Sequence, residues 1–291
     1  MSQISTAVES GPAQGAARLH PPLIDAHCHL EAGYFGTELP EVMARARAVG
    51  VEAFVAVGAS GVLAGAHEAC ALSQIHADVF ASIGIHPCEV HDARQRDMDE
   101  LAQMLRRPKV VALGEVGLDY YHDASTKQVQ QARFKEFVQM AQTCGVPLML
   151  HIRDAHDDCL ALLDACGLPK AGAMVHCFTA GPSIAQAYLD RGLYLSIPGV
   201  VTFKNARDLQ AAIPRIPADR LLLETDSPYL APVPQRGKQN EPAYVRHTAA
   251  AVADLRHEPY ASLAQQCADN ARRFFGLEDR QTRPSFCRAN D

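Results

Sequence analysis

Eight short runs of apolar, often β-branched residues punctuate the chain: Leu23 to Ala26, Ala53 to Val57, Val79 to Ile85, Val110 to Leu113, Pro147 to Ile152, Ala173 to Val175, Leu193 to Ile197 and Leu221 to Leu223. Each is followed by polar turn residues and then by a stretch whose apolar positions recur at helical spacing. Residues 40–49, 62–77, 126–144 and 182–191 are such stretches, and the pattern predicts last helices at 241–256 and 260–275. Gly50, Gly145 and Gly192 end three of them just before the next strand, where a chain commonly leaves a helix through a left-handed residue. Eight strand-then-helix units predict a (β/α)8 TIM barrel, an α/β fold in a single domain over 23–276. An open doubly wound sheet is the alternative, but no GxGxxG follows the first run. Residues 1–22 are mostly small, polar or Pro and lack a basic region followed by an apolar stretch, so a disordered leader is expected there, with a loose tail over 277–291.

Composition changes this picture only by exclusion. Hydrophobic residues make up 48% and charged residues 21%, which is globular rather than disordered. No apolar run reaches the roughly 18 to 20 residues that span a bilayer, so no membrane partner is expected. Lys+Arg 27 against Asp+Glu 33 leaves a net charge of −6, so the surface as a whole does not attract polyanions and any nucleic-acid contact must be local. The nine Cys are odd in number and never form a CxxC pair. That argues against a disulfide framework or zinc knuckle and for reduced thiols in the cytoplasm.

The chemistry lies at the carboxyl ends of the strands, where a barrel of this kind builds its active site. His27 and His29 flank Cys28 after the first run; His86 precedes Pro87 after the third; Glu115 follows the fourth. His151 with Arg153, His176, and Glu224 with Asp226 follow the fifth, sixth and eighth. Residues two apart on a strand share a face, so His27 and His29 both point to the mouth while Cys28, and by the same rule Cys177, point away and pack. Four imidazoles and two carboxylates from separate strands suit a divalent transition metal. Six donors exceed one tetrahedral site with an open position, whereas two ions about 3.5 to 4 Å apart sharing one carboxylate use them all. A carbamylated lysine is the other known bridge, but Lys109 precedes the fourth strand, which leaves Glu115 as the bridging residue.

The segments DAHCHL, GIHP, GEVGLDYY, PLMLHIRDA, MVHCFT, TFKNA, LLLETDSPYL and GKQNEP occur in this order between residues 25 and 242. Together they resemble the TatD family of metal-dependent deoxyribonucleases, within the amidohydrolase-like barrels. The resemblance implies that His27, His29, Glu115 and Asp226 hold one metal and that Glu115, His151 and His176 hold the other. It also implies that His86 helps bind the scissile phosphate. Two departures stand out: Ala180 replaces the glycine of HCFTG, and Glu31 stands where an aspartate often follows the HxHL segment.

The function expected is a 3′ to 5′ exonuclease on single-stranded DNA ends, in which a hydroxide held by two divalent ions (zinc, manganese, iron or magnesium) attacks phosphorus. Asp226 is a candidate base as well as a ligand, the alternative being a ligand alone, and Arg153 holds a phosphate bidentately unless Asp154 or Asp157 claims it in an ion pair. Lys204, Arg236 and Lys238 are candidates for a local basic rim, Tyr120 and Tyr121 for base stacking, and Glu224 for orienting a ligand. Asn240 is read as the cap of the helix that begins near Pro242. A monomer is expected. The rival activity keeps the metals and changes the bond to that of an amide or lactone. A non-catalytic scaffold predicts lost ligands, and all six are present.

Overall fold

The structure is a computed structural model that describes residues 20–278. The strands are β1 (Leu23–Cys28), β2 (Val51–Gly58), β3 (Val79–Ile83), β4 (Val110–Asp119), β5 (Leu148–Arg153), β6 (Ala173–Val175), β7 (Tyr194–Ile197) and β8 (Leu221–Leu223). The helices are α1 (Ala32–Phe35), α2 (Leu39–Ala48), α3 (Ala64–Ile75), α4 (Gln95–Met104), α5 (Lys127–Cys144), α6 (His156–Cys166), α7 (Pro182–Leu189), α8 (Arg207–Ala212), α9 (Val245–Arg256) and α10 (Tyr260–Phe275). Neighbouring strands pair in parallel in the order β1 to β8. The seam between first and last closes just beyond β8, where Asp226 N–H donates to His27 O at 2.9 Å and His29 N–H to Ser227 O at 2.8 Å. The predicted barrel is the fold found.

Two apolar layers follow from strand alternation. Ile24, Ala26, Val55, Val57, Phe80, Ala112, Met149, Met174, Tyr194 and Leu222 meet inside the barrel, closed from below by Phe274, Phe275 and Leu277. Leu23, Phe54, Leu113, Leu148, Leu150 and Leu221 face outward into the sleeve of helices. Leu277, assigned from sequence to the tail, is therefore buried on the barrel floor. Residues 1–19 of the leader expected over 1–22, and the tail from 279, lie outside the described residues.

In β1 and β4 the alternation is broken by one residue, and this puts the functional side chains where they are. Asp25 pairs with Phe54 but Cys28 with Ala56, three steps against two; Leu113 pairs with Leu148 but Val116 with Leu150, again three against two. Such a bulge reverses which face later residues occupy. Ala26 and Ala112 point inward below the bulges, and Cys28, Val116 and Leu118 point outward above them. His27, His29, Glu115 and Asp119 thereby come to the mouth.

The sequence boundary of β4 needs correction. The apolar run ends at Leu113, but pairing with β5 continues to Asp119 against Arg153, so Glu115 lies within the strand rather than after it. Asn240 is likewise not a helix cap: a 3₁₀ turn over Pro242–Tyr244 precedes α9, whose cap position is Tyr244. The Asn240 amide instead donates to the carbonyls of Thr225 at 2.8 Å and Tyr229 at 2.5 Å, which ties down the loop after β8.

Candidate metal centre

All six predicted ligands converge at the floor of an open cleft of about 740 Å³ at the carboxyl end of the barrel. His27 Nε2 and His29 Nε2 lie 3.3 Å apart, and each is 3.5 Å from Asp226 Oδ1. A tetrahedral ion with bonds of about 2.0–2.1 Å to nitrogen has ligand atoms about 3.3 Å apart, so this triangle has the dimensions of one face of such a site. Glu115 closes it, with Oε1 3.8 Å from His29 Nε2 and Oε2 4.0 Å from His27 Nε2. The same Oε2 lies 2.9 Å from His176 Nε2 and 3.3 Å from His151 Nδ1, and those two nitrogens are 3.1 Å apart. Two donor groups thus share one carboxylate, and the residues present fit two divalent ions.

A carboxylate stands behind three of the four imidazoles. Asp119 Oδ2 lies 3.0 Å from His151 Nε2, which gives that nitrogen the proton and leaves the Nδ1 lone pair facing Glu115. Asp119 is itself fixed by the backbone N–H groups of Tyr121 and His122 and by His122 Nδ1 at 2.7 Å. Glu224 Oε1 lies 3.6 Å from His176 Nδ1 and accepts the Cys177 N–H at 2.6 Å, so its expected orienting role has a geometric basis. Glu31 Oε1 lies 3.8 Å from His29 Nδ1, so the second of the two departures stands directly behind a candidate ligand. Asp25 holds the seam beneath, accepting from the N–H of Thr225 at 2.9 Å and its hydroxyl at 2.6 Å.

The charge states follow from burial and neighbours. Burial by itself opposes ionisation of Glu115, but the facing His176, His151 and His27 hold it well below the usual carboxylate range. Burial, aided by His176, keeps His27 well below the usual imidazole range, although Glu115 opposes this. For His176 burial is outweighed by Glu115 and Glu224, which draw its affinity for protons up to about 10. His29 is raised too, because Asp226 and Glu31 outweigh its burial. The same negative field attracts a cation, whose binding releases these protons.

Around this floor the other predicted residues divide. His86 and Arg153 line the cleft. The Cys88 N–H donates to His86 Nδ1 at 3.2 Å, so Nε2 carries the ring proton. Burial keeps His86 neutral, with its pKa lowered to about 4. Arg153 forms no ion pair with Asp154 or Asp157; its guanidinium lies 4.0 Å over the Tyr121 ring instead. Tyr121 is largely exposed, whereas Tyr120 is tied to Asp158 at 2.9 Å and is part of the packing. Lys204, Arg236 and Lys238 do not line the cleft; Arg236 stacks on Phe203 at 4.2 Å and Lys238 donates to Gln235. Cys28 packs outward as expected, but Cys177, with a left-handed φ of +46°, turns into the cleft. Asp119 was the functional residue that sequence reasoning missed. It shares the face of Glu115 four residues on, a signal lost by ending the strand at Leu113.

The fold and donor set define a metal-dependent hydrolase on a (β/α)8 barrel. Residues 24–276 match the family model described as TatD related DNase, and the chain belongs to that family. It is 38% identical over 255 residues to the uncharacterized metal-dependent hydrolase YabD of Bacillus subtilis, covering 88% of this chain and 99% of that one. It is 36% identical over 261 residues to the 3′-5′ ssDNA/RNA exonuclease TatD of Klebsiella pneumoniae, covering 88% and 98%. Among solved structures it resembles YJJV, a TatD homolog from Escherichia coli, with a TM-score of 0.82 at 28% identity over 87% of this chain and 98% of that one. No helix among the described residues is long and apolar enough to cross a membrane.

Proposed function

We propose that the protein is a 3′ to 5′ exonuclease that hydrolyses phosphodiesters at single-stranded DNA ends and works with two divalent ions. The observation that carries the reading is the Glu115 carboxylate, which faces His29 through Oε1 and His176 and His151 through Oε2. His27, His29, Glu115 and Asp226 would hold one ion, and Glu115, His151 and His176 the other. Zinc, manganese or iron suits the imidazole-rich set, and magnesium its carboxylates. Bound there, the ions supply Lewis acidity that lowers the pKa of a water and offsets phosphate charge. Asp226, at the cleft floor beside His27 and His29, takes the proton from the attacking water. Arg153 offers a planar pair of donors to the phosphate oxygens, and neutral His86 offers its Nε2–H from the same bank. The substrate class agrees with the name of the Klebsiella relative.

The test is degradation of 3′-labelled and 5′-labelled single-stranded oligonucleotides by metal-replete protein, beside Glu115→Gln prepared identically. Stepwise shortening from the 3′ end that disappears in the variant is the expected result. Intact DNA in the presence of protein with two bound metals overturns the reading and moves it to a carbonyl substrate, an ester or lactone.

A further inference from the structure

The loop after β8 presents apolar surface to the cleft that neither metal binding nor packing requires. Three of the six large hydrophobic residues exposed among the described residues lie on it: Tyr229 at 48%, Leu230 at 38% and Val233 at 47%. Tyr229 and Leu230 line the cleft together with Tyr34, on the side of His29 and Asp226. The Tyr229 ring stands 5.9 Å from that of Tyr34, near-perpendicular at 77°, with the two hydroxyls hydrogen-bonded at 3.0 Å; both rings lie 6.0 Å from His29.

This surface is held in place. Leu230 adopts a left-handed φ of +57°, which is rare for a bulky side chain and persists where the surroundings enforce it. The Tyr229 N–H donates to Asp226 O at 2.9 Å, and Asn240 binds the Tyr229 carbonyl. Gln239 binds the carbonyl of Tyr34 at 2.9 Å. Gly199 on the preceding loop lies so near that a Cβ there would come within 2.8 Å of Leu230 O. Arg153, His86 and His122 line the cleft on the side of His151 and Asp119 and make that bank polar, with Arg153 as its cation. One bank therefore suits a phosphate and the other a flat apolar ring.

We infer that Tyr229 and Leu230, braced by Tyr34, form a stacking platform for the base of the 3′-terminal nucleotide, so that the enzyme selects a strand end by its base as well as its phosphate. This rests on the nuclease reading above. A π-face is common to all four bases, so the platform favours any base over none.

The experiment compares wild type, Tyr229→Ala and Tyr229→Phe, all metal-replete and shown to be folded by circular dichroism. The substrates are an oligonucleotide with a normal 3′ end, the same strand with an abasic 3′-terminal residue, and glycerophosphoethanolamine, a small diester that carries no aromatic ring. Loss of one stacked base is expected to raise KM about tenfold. Tyr229→Ala therefore lowers the ratio of kcat/KM for the normal strand to that for the small diester about tenfold, and Tyr229→Phe restores most of it. Wild type loses the same factor on the abasic end, and Tyr229→Ala loses nothing further there. An equal loss by Tyr229→Ala on all three substrates, or indifference of wild type to the missing base, overturns the platform. Wild type inert toward both strands but active on the small diester overturns the nuclease reading and the platform with it, as does wild type inert toward all three.

Discussion

The floor and the mouth of this barrel are built by the same strands with opposite chemistry. On the floor, Phe80, Met149, Met174, Tyr194 and Leu222 pack against Phe274. A few residues further along, β1, β4 and β5 carry His27, Glu115, Asp119 and His151, and His29 follows β1, all turned to the same axis. In β1 and β4 one extra residue separates the two regimes, so a strand can keep a strictly apolar inner face below and a ligand-bearing one above. The floor supplies stability, and the mouth spends part of it on holding imidazoles and carboxylates against each other.

The largest effect that tests this division is at the shared carboxylate. Glu115→Gln keeps the shape and removes the charge that two donor groups have in common, so turnover should fall on the order of 10³-fold or more. Bound metal measured by elemental analysis should fall with it, while the melting temperature of metal-free protein stays close to wild type. A variant that keeps both metals and most of its activity would end the bridging assignment. The floor should respond the other way. Phe80→Ala removes a ring that is 1% exposed and should cost about 3–5 kcal/mol in denaturant unfolding. Its kcat per folded molecule should remain that of wild type. A loss of kcat larger than the loss of folded protein would mean that floor and mouth are coupled.

The apolar pattern made the floor legible and left half of the mouth hidden. Eight runs marked eight strands, and α5, expected over 126–144, occupies Lys127–Cys144 before the left-handed Gly145. The six proposed ligands were readable because imidazoles and carboxylates rarely recur at strand ends. Bulges carry no hydrophobic signature, however, and Gly114 made β4 look finished six residues early. Asp119, which stands beside His151, therefore lies beyond the apolar run and gives no signal of its own. Cys177 was assigned to packing by an alternation that its left-handed backbone breaks.

Asp119→Asn should have an intermediate effect. Its amide can no longer take the His151 Nε2 proton as a carboxylate does, so the imidazole loses the partner that fixes its tautomer. Activity or metal affinity should fall about 10–100-fold, the usual scale for such a support. Titration with zinc against a competing chelator measures this directly. An affinity equal to wild type would make Asp119 a brace for the Tyr121–His122 turn rather than for the metal centre.

The smallest effect lies at the seam, where floor meets mouth. Burial raises Asp25 to about 8, although its hydrogen bonds with Thr225 pull the other way. In the unfolded chain its pKa is about 3.9. Between these two values the native state retains a proton that the unfolded chain releases. The stability from Asp25 is thus fully present below about pH 4 and is lost as the pH rises to about 8, by at most about 1.4 kcal/mol per pH unit. Asp25→Asn removes that slope without removing the side chain. Metal-free wild type should lose melting temperature from pH 5 to pH 7, and the variant should lose less over the same range. Equal slopes would mean that Asp25 is ionised in the fold, held by Thr225 and the His27 N–H, and that the seam is closed by a charge rather than by a neutral hydrogen bond.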